Sequence, residues 1–166
     1  DARMLTIQDT GIGMTRDEMI ENLGTIAQSG ARKFLDATKD QKVDFSQLIG
    51  QFGVGFYSVF MVADWVRVIS RSYKPDAEAV SWYATGEDNY QVGVAEMAER
   101  GTRVEIKLKE DAVEFAEDYR LRNIIHKHSD YIGFPIYIGD GKAPVNKQTS
   151  LWRTARKEVT EEQYKE

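Results

Sequence analysis

Two glycine clusters and one carboxylate are the residues here whose types and spacing can do chemistry. Asp9-Thr10-Gly11-Ile12-Gly13 puts an acid just ahead of two glycines, and Gly50-Gln51-Phe52-Gly53-Val54-Gly55 sets three glycines within six positions. Glycines so spaced let backbone N–H groups turn toward one point, the basis of anion binding at a helix start. The second cluster has the glycine spacing of a P-loop, but Phe56 and Tyr57 stand where a P-loop needs Lys and Ser/Thr, so a P-loop is excluded. Both clusters also lack the third glycine of a dinucleotide or kinase loop. What remains is a phosphate held by backbone amides without a lysine, or glycines present for turn geometry alone. Asp9 is open in the same way. It is either an Asx turn residue or, at the bottom of a pocket, an acceptor for an exocyclic amine that a wrong base would leave unsatisfied.

Other chemistries are excluded by composition. The 166 residues include no Cys and two His, His126 and His128, so there is neither a thiolate nucleophile nor a Cys zinc site. The charge balance, 22 − 27 = −5, is spread over both halves and argues against a nucleic-acid partner, which would want a clustered basic face. The longest apolar run, near 54–62, falls well short of the roughly 20 residues that cross a bilayer. No membrane span is expected. The start at Asp1 lacks an initiator Met and a signal-peptide core, so the chain is expected to be an excised piece.

The elements that must position these residues follow from periodicity. A strand over 4–7 runs into the Asp9 loop, then Thr15-x-x-Glu18 has capping-box spacing for a short helix that stops at Gly24. Residues 57–63, apolar nearly all round, predict a buried helix whose positive end would face the second glycine cluster. Period-two patterns over 65–72, 79–85, 90–94 and 102–108 predict an antiparallel sheet with one wet face. Leu121, Ile124, Ile125, His128 and Ile132 make a helical stripe that packs back on the sheet, and 134–138 adds a strand. The expected fold class is α+β, a two-layer sandwich of a mainly antiparallel sheet covered by helices on one face.

Four strings in order then carry a resemblance: Asp9-Thr10-Gly11-Ile12-Gly13-Met14, Leu23-Gly24-Thr25-Ile26-Ala27-Gln28-Ser29-Gly30, Gly50-Gln51-Phe52-Gly53-Val54-Gly55-Phe56-Tyr57-Ser58, and Gly101-Thr102-Arg103-Val104. They closely resemble the nucleotide domain of the ninety-kilodalton heat-shock chaperones, of the bacterial HtpG or organellar type. The D-x-G-x-G string alone fits the wider class that includes gyrase, mismatch-repair and histidine-kinase ATPases. The second and third strings are more specific. The resemblance continues through Ile132-Gly133-Phe134-Pro135-Ile136 and into Leu151-Trp152, which looks like the opening of a middle domain.

The resemblance implies the Bergerat-type ATP-binding fold over 1–138, with a lid at about 24–49, a linker at 139–150 and the start of a middle domain at 151–166. It implies that Asp9 accepts the adenine amine, that Gly13 and Thr102 assist, that Met14 and Phe56 line the pocket, and that Asn22 faces the ribose and phosphates. The backbone of Gly50, Gln51, Phe52, Gly53, Val54, Gly55 and Phe56 would hold the phosphates of ATP or ADP, with Mg²⁺ brought by the nucleotide and no metal ligands of its own. The implied parent is a homodimeric ATPase acting on client proteins in a bacterial cytoplasm or an organelle. Two departures stand out. The family carries a lid Lys where this chain has Gln28, and its catalytic Glu and Mg²⁺-binding Asn lie upstream of Asp9, so no catalytic residue is assigned here. Glu18-x-x-x-Asn22 has the same spacing but lies downstream, and Glu18 is expected to be a cap. A non-hydrolytic nucleotide- or partner-binding module is the competing expectation.

Overall fold

The computed structural model describes residues 3–24, 55–87 and 89–148, which belong to two compact units dividing after Ala116. The first unit holds β1 (Met4–Asp9), β2 (Ala63–Arg71), β3 (Val80–Ala84), β4 (Tyr90–Val94) and β5 (Gly101–Leu108). All five strands lie where alternation predicts them. They form one antiparallel sheet in the order β1-β5-β2-β3-β4. β5 returns to lie between β1 and β2.

Register explains which face is dry. The rows Leu5, Ile106, Val66, Ala84 and Ile7, Val104, Val68, Trp82, Val92 align across the sheet, so the branched and aromatic side chains share one face. The other face is mixed: Arg103 donates to Gln8 at 3.1 Å and Arg67 lies 3.9 Å from Glu105, while the Trp65 and Tyr83 rings meet at 5.7 Å and Ile69 is buried. Trp82, 2% exposed, centres the core, with Phe56 edge-on at 5.6 Å and Tyr90 stacked at 5.9 Å. Each such aromatic pair adds about 0.5–1.5 kcal/mol beyond its buried area.

Helix α1 (Arg16–Leu23) starts as its sequence predicts. The Glu18 amide donates to Thr15 Oγ1 at 3.4 Å and the Thr15 amide to Glu18 Oε2 at 2.8 Å, completing the capping box. Met19 is fully buried against the sheet, and the helix ends at Gly24, whose N–H donates to the Ile20 carbonyl. With the apolar core on one side of the sheet, the predicted two-layer α+β class holds for this unit.

The buried helix predicted over 57–63 is instead a six-residue 3-10 helix, Phe56–Met61, with no buried residue. Ala63 already belongs to β2, so only two tight turns fit. Phe56, Val59 and Phe60 reach the core while Ser58 and Met61 face outward, Met61 at 79% exposure. So short a helix offers no dipole end for an anion.

In the second unit, helix α2 (Asp118–His128) covers most of the predicted stripe, with Leu121, Ile124 and Ile125 half-buried. His128, a member of the expected packing stripe, is exposed, and His126 Nδ1 sits 3.3 Å from Asp130 Oδ1. Residues 134–138 do not form the predicted strand. Pro135 has no N–H to give, and Asn146, 4% exposed, takes the place of a ladder partner: its Oδ1 accepts the Ile136 amide and its Nδ2 donates to the carbonyls of Ile132 and Phe134. Asn146 lies in the stretch expected to be linker. Among the described residues, no helix is long and apolar enough to cross a membrane.

Candidate functional site

The dry face turns polar at one end of the sheet. Asp9 on β1, Thr102 on β5 and Ser70 on β2 are register partners, one row beyond Ile7, Val104 and Val68. Asp9 Oδ1 accepts the Gly11 amide at 2.8 Å and the Thr102 amide at 3.3 Å, while Oδ2 has no partner among the described residues. The Asx turn is therefore real, and it leaves one carboxylate oxygen for something else. Asp9 is exposed, whereas the expectation placed it at the bottom of a pocket. It ends an edge strand, where nothing from the described residues overlies it.

The loop after β1 is pinned from beneath. Gly13 has φ +62, and a Cβ there would overlap the Arg71 carbonyl oxygen, so only glycine fits as the loop crosses β2. The next amide, of Met14, donates to Ser70 Oγ at 2.9 Å. Met14 and Phe56 are half-buried and both pack against the core. Asn22 on α1 follows: its Nδ2 stands 4.0 Å from Met14 Sδ, and its Oδ1 is buried without a partner among the described residues. A buried, unpaired acceptor costs about 1–3 kcal/mol, an expense that a ligand donor can remove.

Five of the predicted residues, Asp9, Gly13, Met14, Asn22 and Thr102, thus form one connected set beside Phe56. Gly55 is exposed at the start of the 3-10 helix. Gly50, Gln51, Phe52, Gly53 and Val54, like the 25–49 part of the expected lid and the expected middle-domain start at 151–166, lie outside the described residues. Their near neighbours are tied together: Tyr57 Oη donates to the Leu23 carbonyl at 2.9 Å, so the chain leaves and rejoins the described structure at one place. Burial, and secondarily the nearby Tyr90 phenol, pushes the Tyr57 phenol above its ordinary value.

Ser70 was missed by sequence reasoning. It is fully buried, and its Oγ contacts Met14 N, the Gly101 carbonyl and Thr102 Oγ1. Its signal was present, because a lone hydroxyl breaks the inward-facing series Val66, Val68 in β2. Two open clefts, of about 650 and 540 Å³, lie along 76–79 and β4 instead. Neither is lined by the connected set, and Asp76 and Glu78 on both oppose phosphate binding.

Glu18 is fully used. Besides the cap, its Oε1 meets Lys74 Nζ at 2.7 Å. The Lys74 hydrogen bond first, then the Thr15 amide, hold its carboxyl below the ordinary 4.5 despite some opposing desolvation. A lowered value means stability that is complete above pH 4.5 and is lost as the pH falls through the folded-state value. Glu18→Gln keeps a cap acceptor but loses the negative charge at the helix start, and is expected to cost about 0.3–1 kcal/mol near neutrality. The Lys74 pair adds little to that, because both side chains are over a third exposed and are screened. Thermal melts should show the difference from the parent chain shrinking below pH 4.5; a difference that grows there would contradict the assignment.

With the geometry in place, comparison with known proteins is informative. The family model described as histidine kinase-, DNA gyrase B- and HSP90-like ATPase matches residues 1–118. The chain is 48% identical over 175 residues to the chaperone protein HtpG of Pasteurella multocida, covering 98% of this chain and 28% of that protein. It is 44% identical over 167 residues to HtpG of Chlorobium chlorochromatii, covering 100% and 26%. For HtpG of Shigella flexneri the identity is 46% over 178 residues, covering 100% and 28%. The chain spans little more than a quarter of the length of these relatives.

Proposed function

Since the chain belongs to the histidine kinase-, DNA gyrase B- and HSP90-like ATPases, we propose that it is the ATP-binding domain of a chaperone. The observation that carries this reading is the Asp9 carboxylate, fixed through Oδ1 by two backbone amides and open at Oδ2, beside Thr102 and the Gly13 turn. Asp9 takes the adenine amine, Gly13 and Thr102 assist, Met14 and Phe56 line the apolar side, and Asn22 Oδ1 receives a ribose hydroxyl. The backbone of 50–56 holds the phosphates, and 24–49 closes over them. Mg²⁺ arrives on the phosphates of the nucleotide. In the full-length protein, a homodimer in a bacterial cytoplasm or an organelle, nucleotide binding and hydrolysis drive lid closure and the folding of client proteins.

A second reading, that this chain binds nucleotide without hydrolysing it, is favoured by Glu18. The one carboxylate with E-x-x-x-N spacing to an Asn has both oxygens engaged by Thr15 and Lys74. Calorimetric titration with ADP tests the first reading: saturable binding is expected, weak in this chain alone, and a flat thermogram in the millimolar range would overturn it. Phosphate release from MgATP tests the second. No turnover above background is expected, and release that Glu18→Gln removes would refute it.

A further inference from the structure

We infer that Ser70 sets the preference of this site for a purine bearing a 6-amino group over one bearing a 6-oxo group, by fixing which way the Thr102 hydroxyl points. The inference rests on the nucleotide reading above. Its basis is a count of protons and lone pairs around one buried oxygen. A serine hydroxyl has one proton and two acceptor positions. Two of the three partners of Ser70 Oγ have no choice of role: the Met14 amide, at 2.9 Å, only donates, and the Gly101 carbonyl, at 2.9 Å, only accepts. Ser70 spends its single proton on Gly101 and one acceptor position on Met14. The third contact, Thr102 Oγ1 at 3.0 Å, must then be a bond in which Thr102 donates and Ser70 accepts.

The consequence lies on the other side of Thr102. With its proton turned toward Ser70, Thr102 Oγ1 offers only lone pairs outward. Its register partner Asp9 offers only lone pairs as well, at Oδ2, because Oδ1 already takes the amides of Gly11 and Thr102. Among the described residues, the end of the sheet therefore presents two acceptors and no side-chain donor. An exocyclic amine, with two N–H donors, matches that pair directly or through a water; a 6-oxo group meets it with a third acceptor. Ser70 is fully buried and does not itself reach the ligand, so it is a positioning residue. A threonine hydroxyl left to rotate would serve either base.

The test is the ratio of affinities for ADP and inosine diphosphate, which carries a 6-oxo group in place of the amine, measured by calorimetry on the 166-residue chain. Ser70→Ala frees the Thr102 proton and is expected to lower the ADP preference about tenfold, the worth of one hydrogen bond that changes direction. Ser70→Thr keeps a hydroxyl and is expected to keep the ratio. Thr102→Val removes the outward lone pairs and is expected to lower the ratio by a similar factor, and Ser70→Ala in that background is expected to change it no further. A Ser70→Ala protein that loses both affinities in parallel, with its ratio intact, would show a purely structural role and overturn the inference while leaving the nucleotide reading standing. If Ser70→Ala does not fold, Thr102→Val decides alone, and an undiminished ratio there overturns the inference. Failure of the parent chain to bind ADP at all overturns the nucleotide reading and this inference with it.

Discussion

Asp9→Asn is expected to lower the affinity for ADP about ten- to a hundredfold while leaving the melting temperature within a degree or two of the parent. The two effects separate because the two carboxylate oxygens do different work. Oδ1 holds the turn by accepting from Gly11 and Thr102, and an asparagine oxygen can do the same. Oδ2 is the oxygen that the proposed reading gives to the base, and in asparagine that position becomes an NH₂ that opposes an amine donor to donor. A charge-assisted hydrogen bond contributes about 1.5–3 kcal/mol, which gives the range stated once the bound base shields Asp9 from water. Calorimetry and a thermal melt on the same sample check both halves. Unchanged affinity would leave Asp9 as a turn residue only, whereas a large fall in stability would mean that Oδ2 is structural too.

Gly13→Ala is expected to damage stability and binding together, by about 3 kcal/mol and roughly 10 °C in the melting temperature. A methyl group on a residue at φ +62 carries a backbone penalty of about 1 kcal/mol, and here it also overlaps the Arg71 carbonyl oxygen. Neither partner yields cheaply, because Arg71 belongs to a central strand and its guanidinium already holds the carbonyls of Met97 and Ala98. The loop would lift from β2, breaking the bond from the Met14 amide to Ser70 and moving Asp9 and Thr102 apart. Differential scanning calorimetry of the variant, with and without ADP, checks this, and a melting temperature equal to the parent's would show that the loop does not sit on β2.

The strands were legible because Val104, Ile106 and Leu108 alternate with Arg103, Glu105 and Lys107 in a sheet with one dry face, so period two is written directly into the side chains. The capping box was legible because both of its bonds are local, between Thr15 and Glu18. The helix over 57–63 was misread for the converse reason: an apolar residue at every position carries no phase, so the sequence could not say that Met61 faces outward or that Ala63 belongs to a strand. The missing strand at 134–138 turned on Asn146, ten residues beyond the amide it accepts, a pairing without local periodicity. Within the site, the glycines and Asp9 announced themselves by type and spacing. Ser70 did not, because its role depends on Met14 and Gly101, which lie 56 and 31 residues away.

The place of β5 between β1 and β2 has a consequence for how the protein is made. Asp9 and Thr102 are 93 residues apart, so joining β1 to β5 closes a loop costing about 4 kcal/mol of chain entropy, whereas β2, β3 and β4 pair as local hairpins. At about 5–20 residues per second of synthesis, β1 waits roughly 5–20 s before its neighbour β5 has been added. Through that interval Leu5 and Ile7 stand without a sheet, and Asp9 stands without Thr102. The polar row of Asp9, Thr102 and Ser70 therefore comes into being only once β5 has been made and β1 has met it.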